Sequence, residues 1–245
     1  MSRNLFKCAA TLALAGTFGA AAWAGGQMPG QGGMGGQGGM GGAGGMGRPG
    51  MSQPQEDTGS SVSEKPDAAA KKAYTAAMKS FNKARDWESA AAAATSLDKR
   101  STDHEKMEDA YNRALDQFTE ALSNKGDMYQ AWNNVGYIHL RLGAYAEALD
   151  DYNHTLALKA DLLEAVEGRG EARMAVDRLE DAKADYMDLF NHDRPLADRL
   201  MGVMQKWVAD HRANANGMRA SDVDGFDKWL QERDGIARQS PAPGP

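Results

Sequence analysis

The chain has 245 residues, 42% hydrophobic and 25% charged, an ordinary balance for a soluble globular protein with room for one or two domains. A formal net charge of -6 excludes the Lys/Arg-rich surface that a phosphate backbone calls for, so no nucleic-acid partner is expected. The single cysteine, Cys8, falls in a segment expected to be removed, which leaves no disulfide, no thiolate nucleophile and no cysteine-based metal site.

Residues 1–24 read as a secretory signal. Arg3 and Lys7 form a positive start, Cys8 to Trp23 is an apolar run, and Ala22-Trp23-Ala24 fits the small-x-small rule for cleavage after Ala24. The run is shorter than the roughly 20 apolar residues of a membrane span, so no stable membrane insertion is expected after cleavage. The expected location is periplasmic or secreted, in a bacterium. Loss of Arg3 and Lys7 leaves 26 basic residues against 34 acidic, a charge of -8.

Residues 25–65 form a glycine-rich linker, expected to be disordered because glycine costs most entropy to order and no core is available to offset it. Met28, Met34, Met40 and Met46 recur in it every six residues. Thioether sulfur is a soft ligand suited to Cu(I), so four methionines on a flexible tether offer metal sequestration as an alternative function. Drift of a low-complexity linker explains the same pattern, as do Met-rich contacts with a partner. No cofactor is expected.

From Pro66 to Arg238 the pattern is helical, interrupted by proline only at Pro195. Pro66 suits a first helical turn, and Ala70, Tyr74, Ala77, Met78 and Phe81 follow at helical spacing. Arg85-Asp86-Trp87 reads either as a tight turn or as part of one long helix to about Ala94. Thr102 with Glu105 has the form of a capping box opening the next helix. Then a repeat sets in. Ala114, Ala148 and Ala182 stand 34 residues apart, as do Phe118, Tyr152 and Tyr186, and Tyr111, Tyr145 and Leu179. Gly136 and Gly170 keep the interval, and Trp132 pairs with Val166. Small and large residues in constant phase at this period predict a solenoid of helix–turn–helix units, with Trp132, Tyr145, Tyr152 and Tyr186 serving as packing residues.

On these residues Tyr129 to Leu162 resembles a tetratricopeptide repeat, with Trp132, Gly136, Leu142-Gly143-Ala144-Tyr145 at the turn, Ala148, Tyr152 and Leu156. Leu163 to Pro195 resembles a second copy through Gly170, Leu179, Ala182 and Tyr186, although Arg169 replaces the usual aliphatic residue and predicts imperfect packing. Asp109 to Ala121 matches only the second helix of an earlier copy, and Pro66 to Ala94 is assigned to the first. The expected fold is all-α: a short right-handed solenoid of antiparallel helix pairs over 66–194, C-terminal capping helices over 195–238, and a disordered tail over 239–245. The cap is read from Leu200, Met204, Trp207 and Val208 on one helix face, then from Ser221 as N-cap of a last helix carrying Val223, Phe226, Trp229 and Leu230.

No catalytic pattern stands out. The five histidines are scattered without a partner at metal-ligand spacing, and neither a nucleophile elbow nor a phosphate loop is present. Asp222-Val-Asp224-Gly225 matches part of a calcium loop, but the first and twelfth ligand positions would be Ala220 and Gln231. The chain therefore reads as a non-catalytic interaction module. The resemblance implies that a peptide or protein lies in a concave groove lined by the first helix of each pair. It places Gln130, Asn133, Asn134, Tyr137 and Arg141 there from one copy, and Glu164, Glu167, Glu171 and Met174 from the next. Asn134 matches one element of the family's carboxylate clamp, but the positions needing basic residues hold Glu164 and Gly168. Three glutamates in one groove favour a basic or polar partner.

Overall fold

The computed structural model describes residues 66–214 and 217–239; the segments read as a signal (1–24) and a linker (25–65), residues 215–216 and the tail beyond Gln239 lie outside them. Every element among the described residues is a helix: α1 (Pro66–Ala93), α2 (Leu97–Asn124), α3 (Tyr129–Arg141), α4 (Tyr145–Leu158), α5 (Leu163–Ala175), α6 (Leu179–His192), α7 (Arg194–Ala213) and α8 (Ala220–Gln239). They pack in consecutive pairs, α1 with α2, α3 with α4, α5 with α6 and α7 with α8, and each pair touches the next. The result is an all-α helical-repeat solenoid.

Local chemistry explains where each helix starts and stops. The α1 segment is alanine-rich, carries neither glycine nor proline beyond Pro66, and runs unbroken for 28 residues. Arg85-Asp86-Trp87 is therefore helix, not turn. The next helix opens at Leu97 rather than at the Thr102–Glu105 pair. Ser96 sits in an extended conformation and its side chain accepts a hydrogen bond from the Lys99 amide at 3.3 Å. Thr102 lies one turn inside α2, where its hydroxyl donates back to the Asp98 carbonyl at 2.9 Å. Ser221 likewise lies inside α8, which begins at Ala220. One residue, Asp193, separates α6 from α7; its side chain accepts from the Leu196 amide at 3.0 Å, and Pro195 follows in the first turn. The Asp222–Gly225 segment is helical, not a loop.

The 34-residue register is realised in space. Ala114, Ala148 and Ala182 lie in α2, α4 and α6, each with no exposed surface, and Phe118, Tyr152 and Tyr186 are buried beside them. Tyr152 shows why small residues recur. Its ring lies so close to α3 and α5 that a Cβ at Gly136 would stand 3.1 Å from Cε1, and one at Gly168 only 2.3 Å from Cζ. A Cβ at Gly170 would lie 2.6 Å from a Leu200 methyl. Tyr145 departs from expectation. It is 37% exposed, because it opens α4 where no preceding turn covers it, so it is no core residue like Tyr111 in the same phase.

The turns keep the register too. Gly143 between α3 and α4 has φ +79°, and Asp177, 34 residues on between α5 and α6, has φ +59°. A non-glycine residue in this region costs on the order of 1 kcal/mol. Two α7 side chains meet Asp177: the Trp207 indole donates to Oδ1 at 2.9 Å, and His211 Nε2 lies 3.5 Å from it. No described helix is long and apolar enough to cross a membrane.

The packing predicts opposite outcomes for two glycine-to-alanine changes. Gly168→Ala must displace the buried Tyr152 ring, an overpacking cost of about 2 kcal/mol that lowers Tm by roughly 4–8 °C. Gly202→Ala in α7 meets open space. It should gain up to about 1 kcal/mol from helix propensity. Thermal unfolding followed by circular dichroism reads both; equal effects would contradict the close approach at Gly168.

Candidate functional site

The first helices of the pairs, α1, α3, α5 and α7, share one face, and a chain of charged side chains crosses it. Glu88 of α1 accepts from the Tyr111 hydroxyl at 2.8 Å and from the Tyr137 hydroxyl at 3.2 Å. Its other carboxylate oxygen lies 3.5 Å from Arg141 Nε on α3. Arg141 covers the Tyr137 ring at 4.7 Å and reaches Glu171 of α5 at 3.4 Å. One turn earlier on α5, Glu167 takes a two-pronged contact from Arg199 of α7, at 2.6 and 2.9 Å. Negative and positive groups thus alternate between neighbouring helices and hold the four together.

Burial makes this network consequential. Burial pushes the Glu171 carboxyl above the ordinary carboxylate range, with Arg141 acting against the rise. Burial also opposes the charge on Arg141, but the carboxylates of Glu171 and Glu88 outweigh it and hold the guanidinium above its usual range. The Tyr111 and Tyr137 hydroxyls are pushed up chiefly by burial, so both act as neutral donors.

The residues expected to line the groove therefore divide into two groups. Asn134 donates to the Tyr74 hydroxyl and lies against Met78 sulfur, both at 3.4 Å. Tyr137 packs edge-on to Phe81 with ring centroids 5.3 Å apart. Arg141, Glu167 and Glu171 belong to the ion network, and Met174 is core. Tyr137 is thus occupied internally, because the long α1 lies beside α3 and supplies Phe81 and Glu88. The accessible group is smaller. Gln130 is exposed, Glu164 is half-buried and enters no ion pair among the described residues, and Asn133 is half-buried. Asn133 carries a buried Oδ1 without a hydrogen-bond donor among them. The glutamate excess read from the sequence is largely neutralised by Arg141 and Arg199. Gly168, at the other clamp position, lies under the Tyr152 ring.

A second polar ladder runs between the two helices of each of the first three pairs. Gln117, Asp151 and Asp185 stand 34 residues apart on α2, α4 and α6. Ser80 of α1 donates to Gln117 at 2.8 Å, His139 of α3 meets Asp151 at 2.6 Å, and Arg169 of α5 meets Asp185 at 2.7 Å with Arg173 beside it. Arg169, expected to disturb packing, instead neutralises the buried Asp185. His139 and Arg173 also stand 34 residues apart, a signal in the sequence that locates this ladder. Glu88 and Arg199 had no such signal, since α1 is more than twice as long as α3 or α5 and α7 follows the last in-register copy. Among the described residues no cluster of three or more His, Cys, Asp or Glu could hold a metal ion.

Two predictions follow from the pairings. The hydrogen bond to Asp151 raises the His139 pKa above its ordinary 6.5, against burial, which lowers it. A raised folded-state value means that the stabilisation is complete below the unfolded pKa of about 6.5 and is lost as pH climbs through the folded value. His139→Gln should remove that alkaline loss from Tm measured across neutral to mildly alkaline pH; an unchanged slope would refute the assignment. For the other ladder, Arg199→Gln leaves the buried Glu167 without its counter-charge and should cost about 1–3 kcal/mol, discounted because Arg199 is partly exposed. Adding Glu167→Gln should recover part of the loss. Additive denaturation energies in this cycle would show that the pair is not coupled.

A scan against protein-family models finds no match, and a search of the curated proteins finds none. Solved structures give matches. The tetratricopeptide domain of Arabidopsis OM64 is similar over 55% of this chain and 96% of its own, at 17% identity and a TM-score of 0.40. The first such domain of Spaghetti (RPAP3), bound to the HSP90 peptide SRMEEVD, is similar over 54% and 96%, at 22% identity and TM-score 0.38. A Podospora anserina kinesin-light-chain-type protein with nearly identical TPR-like repeats is similar over 72% and 99%, at 11% identity and TM-score 0.35. By its own 34-residue register and helix pairing, the described part of the chain is an all-α helical-repeat solenoid whose repeat resembles the tetratricopeptide pattern.

Proposed function

We propose that the chain is a non-catalytic interaction module, exported to the periplasm or secreted, that holds a peptide or protein segment on the face shared by α1, α3, α5 and α7. The observation that carries this reading is the unequal satisfaction of that face. Its charged groups are tied to one another, which makes the surface rigid, while Gln130 and Glu164 remain accessible at one end with hydrogen-bonding capacity to spare. A preorganised surface loses little entropy when a partner is ordered on it. Gln130 suits a partner's backbone amides and carbonyls, and Glu164 favours a basic or polar side chain beside it.

The reading is tested by placing a photo-crosslinking amino acid at Gln130 or Glu164, and for comparison at Asp150 on the exposed side of α4. Adducts with the same partner should form from the first two positions and not from the third. Equal labelling from all three would sink the assignment of the face.

A further inference from the structure

We propose that the outward face of α1 is a second docking surface, which takes an acidic segment of a partner polypeptide. Lys71, Lys72, Lys79 and Lys83 are exposed on this face, opposite the Ala73, Ala77 and Ala84 row that packs on α2. Ala68, Thr75 and Ala76 lie between them, and an open depression is lined by these small residues together with Lys71, Lys72 and Lys79. The first acidic residue on the same face is Asp86, almost a turn beyond Lys83. Asp67, near the helix start, is turned to Lys125 of α2.

Two features set the face apart from an ordinary solvated surface. The whole chain carries a net charge of -6, yet four lysines gather on this one helix face. Every described lysine beyond Lys83 except Lys228 sits within ion-pair distance of a carboxylate. Lys71, Lys79 and Lys83 enter no ion pair among the described residues. A helix face selected only for solubility mixes signs at four-residue spacing, because like charges there repel by a few tenths of a kcal/mol. Lys79 and Lys83 accept that repulsion.

Size and chemistry identify the occupant. At about 1.5 Å per helical residue, Lys71 to Lys83 spans roughly 18 Å. An extended peptide covers that length in about six residues. Small side chains between the lysines let a backbone approach closely. No large apolar group on the face could enter a bilayer, and no aromatic ring or arginine is present on it to stack on bases, so a membrane or nucleic acid fits less well than an acidic polypeptide.

The test uses the full-length protein and fluorescein-labelled hexaglutamate, followed by fluorescence anisotropy at low and high salt. Binding should weaken at least about tenfold in the Lys71→Glu/Lys79→Glu/Lys83→Glu variant and in high salt. It should stay within about twofold in Lys228→Glu, whose lysine is exposed outside the face, and in the shared-face variant Glu164→Gln. Circular dichroism confirms that the exposed substitutions leave the helices intact. No binding by the unmodified protein, an equal loss in Lys228→Glu, or equally tight lysine-dependent binding to phosphatidylglycerol vesicles would overturn the proposal. Because Glu164→Gln affects only the shared face, failure here is distinguishable from failure of the proposed function.

Discussion

The structure depends on how closely consecutive helices can approach around Tyr152. Its ring occupies the space that side chains at Gly136 and Gly168 would fill, so α3, α4 and α5 converge on a single buried aromatic group. That convergence sets the spacing at which the next pair must land, and spacing in turn decides which side chains of α1, α3, α5 and α7 can touch. A short solenoid has few interfaces over which to average an error, and each repeat contacts only its neighbours. One misplaced methyl group at this junction would therefore propagate to the polar contacts on the shared face.

Charge is buried in two parallel systems, and they work differently. Between the members of each pair, Gln117, Asp151 and Asp185 take partners graded from a hydroxyl through a histidine to two arginines. The middle joint alone depends on a histidine, held by Asp151 above its ordinary titration range. Across the shared face, Glu88, Arg141, Glu171, Glu167 and Arg199 link successive pairs instead. Such pairs add little net stability once desolvation is counted. What they exclude is a wrong stacking angle, since any slip would leave several charges buried and unpaired.

The register was legible because it follows from geometry that repeats: Ala114, Ala148 and Ala182 must be small, and Phe118, Tyr152 and Tyr186 must fill the adjoining space. The helix order and the C-terminal pair built around Leu200, Trp207, Phe226 and Leu230 were legible for the same reason. What escaped were contacts made once. Glu88 and Arg199 belong to helices outside the register, and only their arrival beside α3 and α5 showed that Tyr137, Glu167 and Glu171 were already engaged. Helix starts at Leu97 and Ala220 were missed because Thr102 and Ser221 offer equally good capping chemistry to a linear reading, and the choice between candidates is made by where α1 and α7 end. Tyr145 shares a phase with buried Tyr111, but α2 extends almost four turns before that position and α4 does not.

Asp193 has a double duty with a mechanical consequence. Its amide closes the end of α6 by donating to Leu189, and its carboxylate opens α7 by accepting from Leu196. No slack exists between the two helices, so torque applied to the C-terminal pair passes directly into the repeat before it. The last two hairpins are geared together: neither can unwind at this corner without releasing the end of the other, and the terminal pair behaves as a continuation of the spring rather than as a detachable lid.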